Sequence, residues 1–405
     1  MKWRQAVAGL LVLWAAWEIA RSLGRLDSVI FTGYTQVGEV VLQGGDPYGL
    51  RINTWPPFFQ VIAAGLALLA RLSLRGALLL WQVGCVAAIW GSCRLLARLV
   101  DEQPAPFTSA AVLVPILMTA RLLQEHLQHT QINLYLLFLV LLAFHWFRGR
   151  RNALGGLALA AAASAKATPI AFLFYLLYKR AWRAAAWTTG FLVVLNVALP
   201  LVLFGPARTA EQWRTWRAVA AAETADPTPQ FMNQSLLAAL KRVLTTEGGA
   251  RDPVRYAIAA WPTSTVQRLF YGIVALGGLG LALAFRRHPA GLADRTLVGE
   301  LAVCLCAIPL VSPLAWKAHF VTLLAGYWLV WRVIRGRAAW GVWWVSFACL
   351  TLSAPALVGE RLNDALESFN VITVGALLVL GLALWAALKP LPPPPPASSA
   401  APIRL

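Results

Sequence analysis

Charge is scarce in this chain. Asp, Glu, Lys and Arg make up 13% of its 405 residues, while 59% are hydrophobic and the mean hydropathy is +0.64. The length alone would allow roughly two or three soluble domains, but so little polar surface cannot clothe them. Acidic residues are scarcer still, 17 against 35 Lys and Arg, and no Asp-x-Asp pair occurs. Cysteine is rare too. Cys85, Cys93, Cys304, Cys306 and Cys349 all lie in or beside apolar runs. Cys304 and Cys306, two apart on a presumed helix, face different ways, so neither a disulfide nor a metal site is expected. No repeat of about 20–50 residues is apparent.

What the chain has is apolar runs. They fall near 5–23, 57–71, 77–97, 107–123, 131–147, 153–164, 167–178, 184–204, 266–285, 297–312, 318–334, 338–356 and 368–388. A bilayer core asks for about 17–25 apolar residues per helix, and the 19 Trp suit interfacial anchors. The expected class is an all-α, polytopic membrane protein. The N-terminal MKWRQAVAGLLVLWAAWEIA reads as a retained first helix, because Glu18 and Arg21 follow its apolar run without a cleavage site.

The formal charge of +18 could suggest nucleic acid, but its distribution excludes that partner. Basic residues come in short clusters between apolar runs: Arg148–Arg151, Lys179–Arg183, Arg286–His288 and Arg332–Arg337. That is the positive-inside pattern, and it suits anionic headgroups. With these clusters inside, loops 205–265, 312–318 and 357–367 fall outside. The run 153–178 obeys the rule only as two short helices meeting at Ser164–Pro169, where Pro169 supports a break. The first half does not balance. Three candidates lie between outer loops 24–56 and 124–130, where an even number is required, and the short 57–71 and Pro115-interrupted 107–123 are the suspects. The count comes to about 12 crossings, with both termini cytoplasmic. Residues 1–388 form one transmembrane domain, and 389–405 a Pro/Ala/Ser-rich tail with no core to join.

The polar segments hold the candidate site. In the first outer loop, YTQVGEVVLQGG spaces Tyr34, Val37, Val41 and Leu42 along one side of a short interfacial helix, capped by Gly44 and Gly45. Pro47 and Pro56-Pro57 then fix the turn back into the bilayer, with Trp55 at headgroup depth. This is either a shaped re-entry turn or a platform presenting a carboxylate to a lipid substrate. Further on, QEHLQHTQIN carries Glu125, His126, His129, Gln131 and Asn133, and Lys166 lies within the broken pair. Asn233, Gln234 and Ser235 suit the start of an amphipathic helix, and SPLAWKAHF places Trp316, Lys317 and His319 between apolar runs. A lone His at a helix end is more often structural than functional. A Lys at membrane depth, by contrast, is costly enough to point to a site. Cationic Lys and His suit a phosphate, amides and aromatics suit a sugar, and a carboxylate suits a general base.

These motifs, LQGGDPYG…WPPF, HTQIN, the arginine turn leading to SAKATP, NQSLLAALKR and SPLAWKAHF, occur in an order that resembles glycosyltransferase family 87. The resemblance covers about Tyr34 to Phe320. It implies the GT-C architecture and a sugar donor carried on a polyprenyl phosphate. Transfer would be inverting, on the outer face of a bacterial inner membrane, to a lipid or glycan acceptor, with no metal and no cofactor. By resemblance His319 is a donor-phosphate contact, and Lys166 matches the Lys-Pro of the family's helix break, although Ala167 and Thr168 intervene here. Gln131 and Asn133 match GQxN with Thr130 in place of Gly, and NQS matches at Asn233 to Ser235. Trp316, Lys317, His129, Gln234, Tyr48 and Trp55 complete the expected substrate contacts. The family's catalytic Asp, aligned without gaps, falls near Ile30 or Phe31. Asp27 is the nearest carboxylate and the expected base, and Asp46 is second, though it more naturally shapes its turn. A transporter or flippase of lipid-linked sugar, or an inactive family member, are the other readings.

Overall fold

A computed structural model describes residues 2–26, 29–50, 52–225, 230–246, 252–286, 292, 294 and 296–391. All regular structure among them is helical. The first half comprises α1 (Lys2–Gly24), α2 (Val29–Leu42), α3 (Phe59–Leu72), α4 (Leu74–Val100), α5 (Ala110–His129) and α6 (Asn133–Arg148). Then come α7 (Asn152–Ala165), α8 (Ala171–Tyr178), α9 (Trp182–Val193), α10 (Leu199–Phe204), α11 (Pro206–Ala225) and α12 (Leu236–Leu244). The rest is α13 (Thr263–Ala284), α14 (Leu297–Val311), α15 (Leu323–Val333), α16 (Arg337–Leu352), α17 (Pro355–Val358), α18 (Glu360–Ser368) and α19 (Val371–Ala387).

Among the described residues, five helices are long and apolar enough to cross a membrane: Trp3–Gly24, α4, α5, α13, and Trp182–Phe204, which joins α9 to α10 through a π turn. The pair α18 and α19, bent by 57°, would make a sixth. Several other apolar helices are only 10–17 residues long, so length and composition give fewer spans than the roughly 12 expected. α5 runs unbroken through Pro115, with the Thr119 hydroxyl donating to the Pro115 carbonyl at 2.9 Å, whereas α3 has only 14 residues. Between residues 57 and 129, α4 and α5 are thus the helices long and apolar enough to span a membrane.

The exterior explains the composition. Leu10, Leu13 and Trp17 on α1, Val202 on α10, and Leu276, Leu279 and Leu283 on α13 are all more than half exposed. Apolar surface this extensive is what lipid covers. Inside, α2 buries Ile30, Phe31, Tyr34, Val37 and Val41, the stripe of an amphipathic helix. Leu42 was expected on that stripe and is exposed, one residue past Val41 and rotated off the face. The stripe is closed by α3 and by Trp81 of α4, so protein rather than lipid covers it. α2 ends as its glycines require: Gly44 takes φ +80°, its N–H reaches Val41 O, and Gly45 N–H reaches Val40 O.

α7 breaks after Ala165, and Thr168–Ile170 form a single 3-10 turn before α8. Pro169 has no N–H to continue the ladder. A second break, absent from the sequence reading, separates α18 from α19 at Asn370, which takes φ +60°.

Candidate functional site

The break after α7 holds Lys166 in an extended backbone conformation. Its Nζ donates to Asn133 Oδ1 at 2.9 Å, and Asn133 Nδ2 donates to Ala318 O at 3.2 Å. One amide therefore joins three elements: the start of α6, the helix break, and the 3-10 turn Lys317–Thr322. His319 sits in that turn. Its Nδ1 accepts from Trp316 N at 2.9 Å, so a neutral ring carries its hydrogen on Nε2. The rings of Trp316 and His319 are near parallel, 6.5 Å apart at 19°.

Lys166, Asn133 and His319 line a cavity of about 40 Å³, room for about three waters. Thr168, Ser312 and Thr322 add hydroxyls; Leu136, Val140, Phe172, Leu305 and Ile308 form its apolar walls. From Asn133 to Val140 the cavity follows α6 for about 10 Å. The lining thus pairs a cationic, hydrogen-bonding group with an apolar slot.

The QEHLQH stretch is helical, since α5 runs to His129 and ends at Thr130 with φ +52°. His129, half exposed, meets Glu125 at 3.0 Å, and Glu125 also meets Arg121 at 2.6 Å. Gln131 is buried, with Cys85 Sγ 3.9 Å from its carbonyl oxygen. The corner is bound to α2 and α4: Thr130 Oγ1 accepts from Phe31 N at 3.2 Å, and Thr130 O accepts from Trp81 Nε1 at 3.0 Å. Sequence reasoning named His126 among the polar residues of this stretch but gave it no substrate contact. It is wholly buried, its Nε2 accepts from Leu134 N at 3.0 Å, and its Nδ1 has no hydrogen-bond partner. Its one available signal was its spacing, three residues before His129 and so about 60° from it around α5.

Several expected substrate contacts already hold protein partners. Lys317 Nζ reaches Glu367 Oε1 at 2.6 Å, Ser353 O at 2.8 Å and Asn363 Oδ1 at 3.1 Å, which occupies all three of its donors. Asn233 ties the Pro313 carbonyl and the Ala315 N–H to the start of α12. Gln234 bonds Phe231 O, Glu367 O and Thr373. Ser235 caps α12 through Ala238 N.

In the first outer loop, Asp46 is exposed and its Oδ1 accepts from Tyr48 N at 3.0 Å, shaping the turn Pro47–Gly49. Tyr48 is buried and donates to Trp55 O at 3.1 Å. Trp55 packs edge-on against Tyr34 at 4.8 Å and is buried inside the protein. Asp27 lies outside the described residues. The ungapped slot, Ile30 and Phe31, is filled by buried apolar side chains. Among the described residues no three His, Cys, Asp or Glu side chains are grouped to share a metal ion.

Residues 53–313 match the model of glycosyltransferase family 87. Over 302 residues the chain is 28% identical to a polyprenol-phosphate-mannose-dependent alpha-(1-2)-phosphatidylinositol pentamannoside mannosyltransferase of Mycolicibacterium smegmatis, covering 73% of this chain and 66% of that one. It is 29% identical over 276 residues to a protein of the same description from Mycobacterium tuberculosis, covering 67% and 56%. The chain thus spans two thirds or less of the length of these relatives. Asn133, Lys166 and Asn233 fall within the family match, whereas Asp27, Asp46, Tyr48, Trp316, Lys317 and His319 lie outside it.

Proposed function

The chain belongs to glycosyltransferase family 87, and on that premise we propose that it transfers a hexose, mannose by analogy with its relatives, from a polyprenyl phosphate to a lipid or glycan acceptor. The observation carrying this is the Lys166–Asn133–His319 cavity, cationic at one end and apolar along α6. A polyprenyl phosphate has that same division between headgroup and chain. The donor phosphate takes the place of the cavity's waters against Lys166 and the Nε2–H of His319, and Leu136, Val140 and Phe172 part to admit the first isoprene units.

Asp27 acts as the general base. It takes the acceptor hydroxyl's proton while the oxygen attacks the anomeric carbon, and the polyprenyl phosphate leaves with inversion. Lys166 and His319 offset the charge growing on the departing phosphate. Placement supports the assignment of the base. Asp27 stands four residues before Phe31, whose N–H is bound to Thr130, and Thr130 is three residues from Asn133. The basic clusters between apolar runs support a reaction on the outer face of a bacterial inner membrane, with the shorter apolar helices completing the crossings in this reading.

Transport of a lipid-linked sugar would favour broken helices in both halves, and the bend between α18 and α19 supplies a second one. The polar groups at that bend are taken up by protein: Glu367 by Lys317, and Asn370 by Arg242. An assay of label transfer from polyprenyl-phosphate-mannose by the purified chain tests the reading. Wild type should label a lipid acceptor and Asp27→Asn should not. Full transfer by Asp27→Asn would move the base elsewhere, and silence from wild type with a range of lipid acceptors would favour transport or an inactive member.

A further inference from the structure

At the opposite end of α7 from Lys166, about 20 Å away along the helix, lies a second concavity. Arg150, Arg151, Asn152, Leu154, Arg183 and Trp187 line an open basin of about 540 Å³. Among the described residues none of its three guanidinium groups has an acidic partner. The neighbouring Arg148 contrasts with them, bonded to Leu99 O at 2.9 Å and to Glu102.

The basin is built by two copies of one turn. α6 ends with Arg150 at φ +59°, Arg150 N–H on Phe147 O and Arg151 N–H on Trp146 O. α8 ends the same way, with Arg180 at φ +56°, Arg180 N–H on Leu177 O and Ala181 N–H on Leu176 O. This left-handed position is ordinarily glycine's, yet both turns carry arginine there. The two helices that follow are held side by side. A Cβ on Gly156 would stand 2.8 Å from Thr188 N and from Trp187 Cβ, so α7 and α9 touch backbone to backbone. Their N-termini therefore open into the same space, with free N–H groups and the positive ends of both helix dipoles directed at it. On the lipid side, Trp182 and Trp187 are exposed, Trp187 stacks on Phe191 at 5.8 Å, and the apolar span Trp182–Phe204 continues from there.

We propose that this basin binds the headgroup of an anionic phospholipid. Its phosphate lies among Arg150, Arg151 and Arg183 at the two helix N-termini, and its acyl chains follow Trp187 and Phe191 along α9. Charge complementarity and continuity with the apolar face of α9 carry the assignment, which is independent of the sugar-transfer reading. Basic pockets between membrane helices hold such headgroups through the same charge-assisted bonds.

Native mass spectrometry of the full chain, delipidated in neutral detergent and titrated with phosphatidylglycerol or phosphatidylcholine, tests it. Wild type should bind the first phosphatidylglycerol at least about tenfold more tightly than phosphatidylcholine. Arg150→Gln/Arg151→Gln/Arg183→Gln should lose most of that preference, and the matching triple Lys variant should keep part of it. Equal preference in wild type and the Gln variant would overturn the proposal. So would displacement of the lipid by millimolar inorganic phosphate, which would make this a site for free phosphate. Should the Gln variant fail to fold, wild type still decides. Its preference should fall steeply between low and high salt in a fluorescence titration with labelled phosphatidylglycerol, and a preference indifferent to salt would contradict the assignment.

Discussion

Asn133 and Lys166 are 33 residues apart in sequence and 2.9 Å apart in space, amide oxygen to ammonium. The same amide's nitrogen binds Ala318 O, one residue before His319. The two donors proposed to face the donor phosphate, the Lys166 ammonium and the His319 Nε2–H, are thus set by one side chain. Asn133→Ala should leave the chain folded but let both drift, lowering transfer by up to about 100-fold, the order expected of an ångström-scale misplacement. Initial rates with saturating donor, beside a thermal melt in detergent, check this.

Lys317 should prove structural. It and Glu367 are both buried and 2.6 Å apart, so Lys317→Met strands a carboxylate, at a cost of about 3–5 kcal/mol. Lys317→Met/Glu367→Gln should recover much of that loss. Thermal midpoints of the single and double variants give the answer. A single variant as stable as wild type would mean the pair contributes nothing.

Glu18 of α1 is buried, and its two oxygens accept from Gln124 at 2.9 Å and Gln128 at 3.1 Å. Glu18→Leu leaves two amides on α5 without acceptors, each costing about 1–3 kcal/mol. A lower thermal midpoint is expected, together with faster hydrogen exchange in α1.

Arg71 donates twice to Glu39, at 2.8 and 2.7 Å, and its guanidinium holds the Glu39 carboxyl below the usual carboxylate range. A carboxyl whose folded pKa is depressed adds stability above its unfolded pKa and loses it as pH falls through the folded one. Lowering the pH from 7 towards 3 should therefore lower the thermal midpoint of wild type more than that of Glu39→Gln. Parallel pH profiles would contradict this.

Local chemistry made part of this legible in the sequence. Pro169 marked the broken helix, Gly44 and Gly45 the end of α2, and Ser235 the start of α12, because each acts through its own backbone. Partners distant in sequence were not legible. Nothing near Lys317 announces Glu367, 50 residues on, so a lysine with all its donors taken reads the same as one facing a ligand. QEHLQH looked like a loop because its polar residues were read without Glu18 and Arg121, which let them lie within a helix. The bend at Asn370 carries no proline. It is held by Arg242 from another element, and no local pattern reports that.

The most direct measurement of the central claim is the transfer rate from polyprenyl-phosphate-mannose by wild type beside Lys166→Met. Lys166 faces the cavity, and its removal leaves only His319 to meet charge on the leaving phosphate. A fall of about 100- to 1,000-fold with an unchanged melting midpoint is predicted, the usual loss for one such donor. Wild-type rates from Lys166→Met would show that the cavity between α6 and the helix break does not hold the donor phosphate.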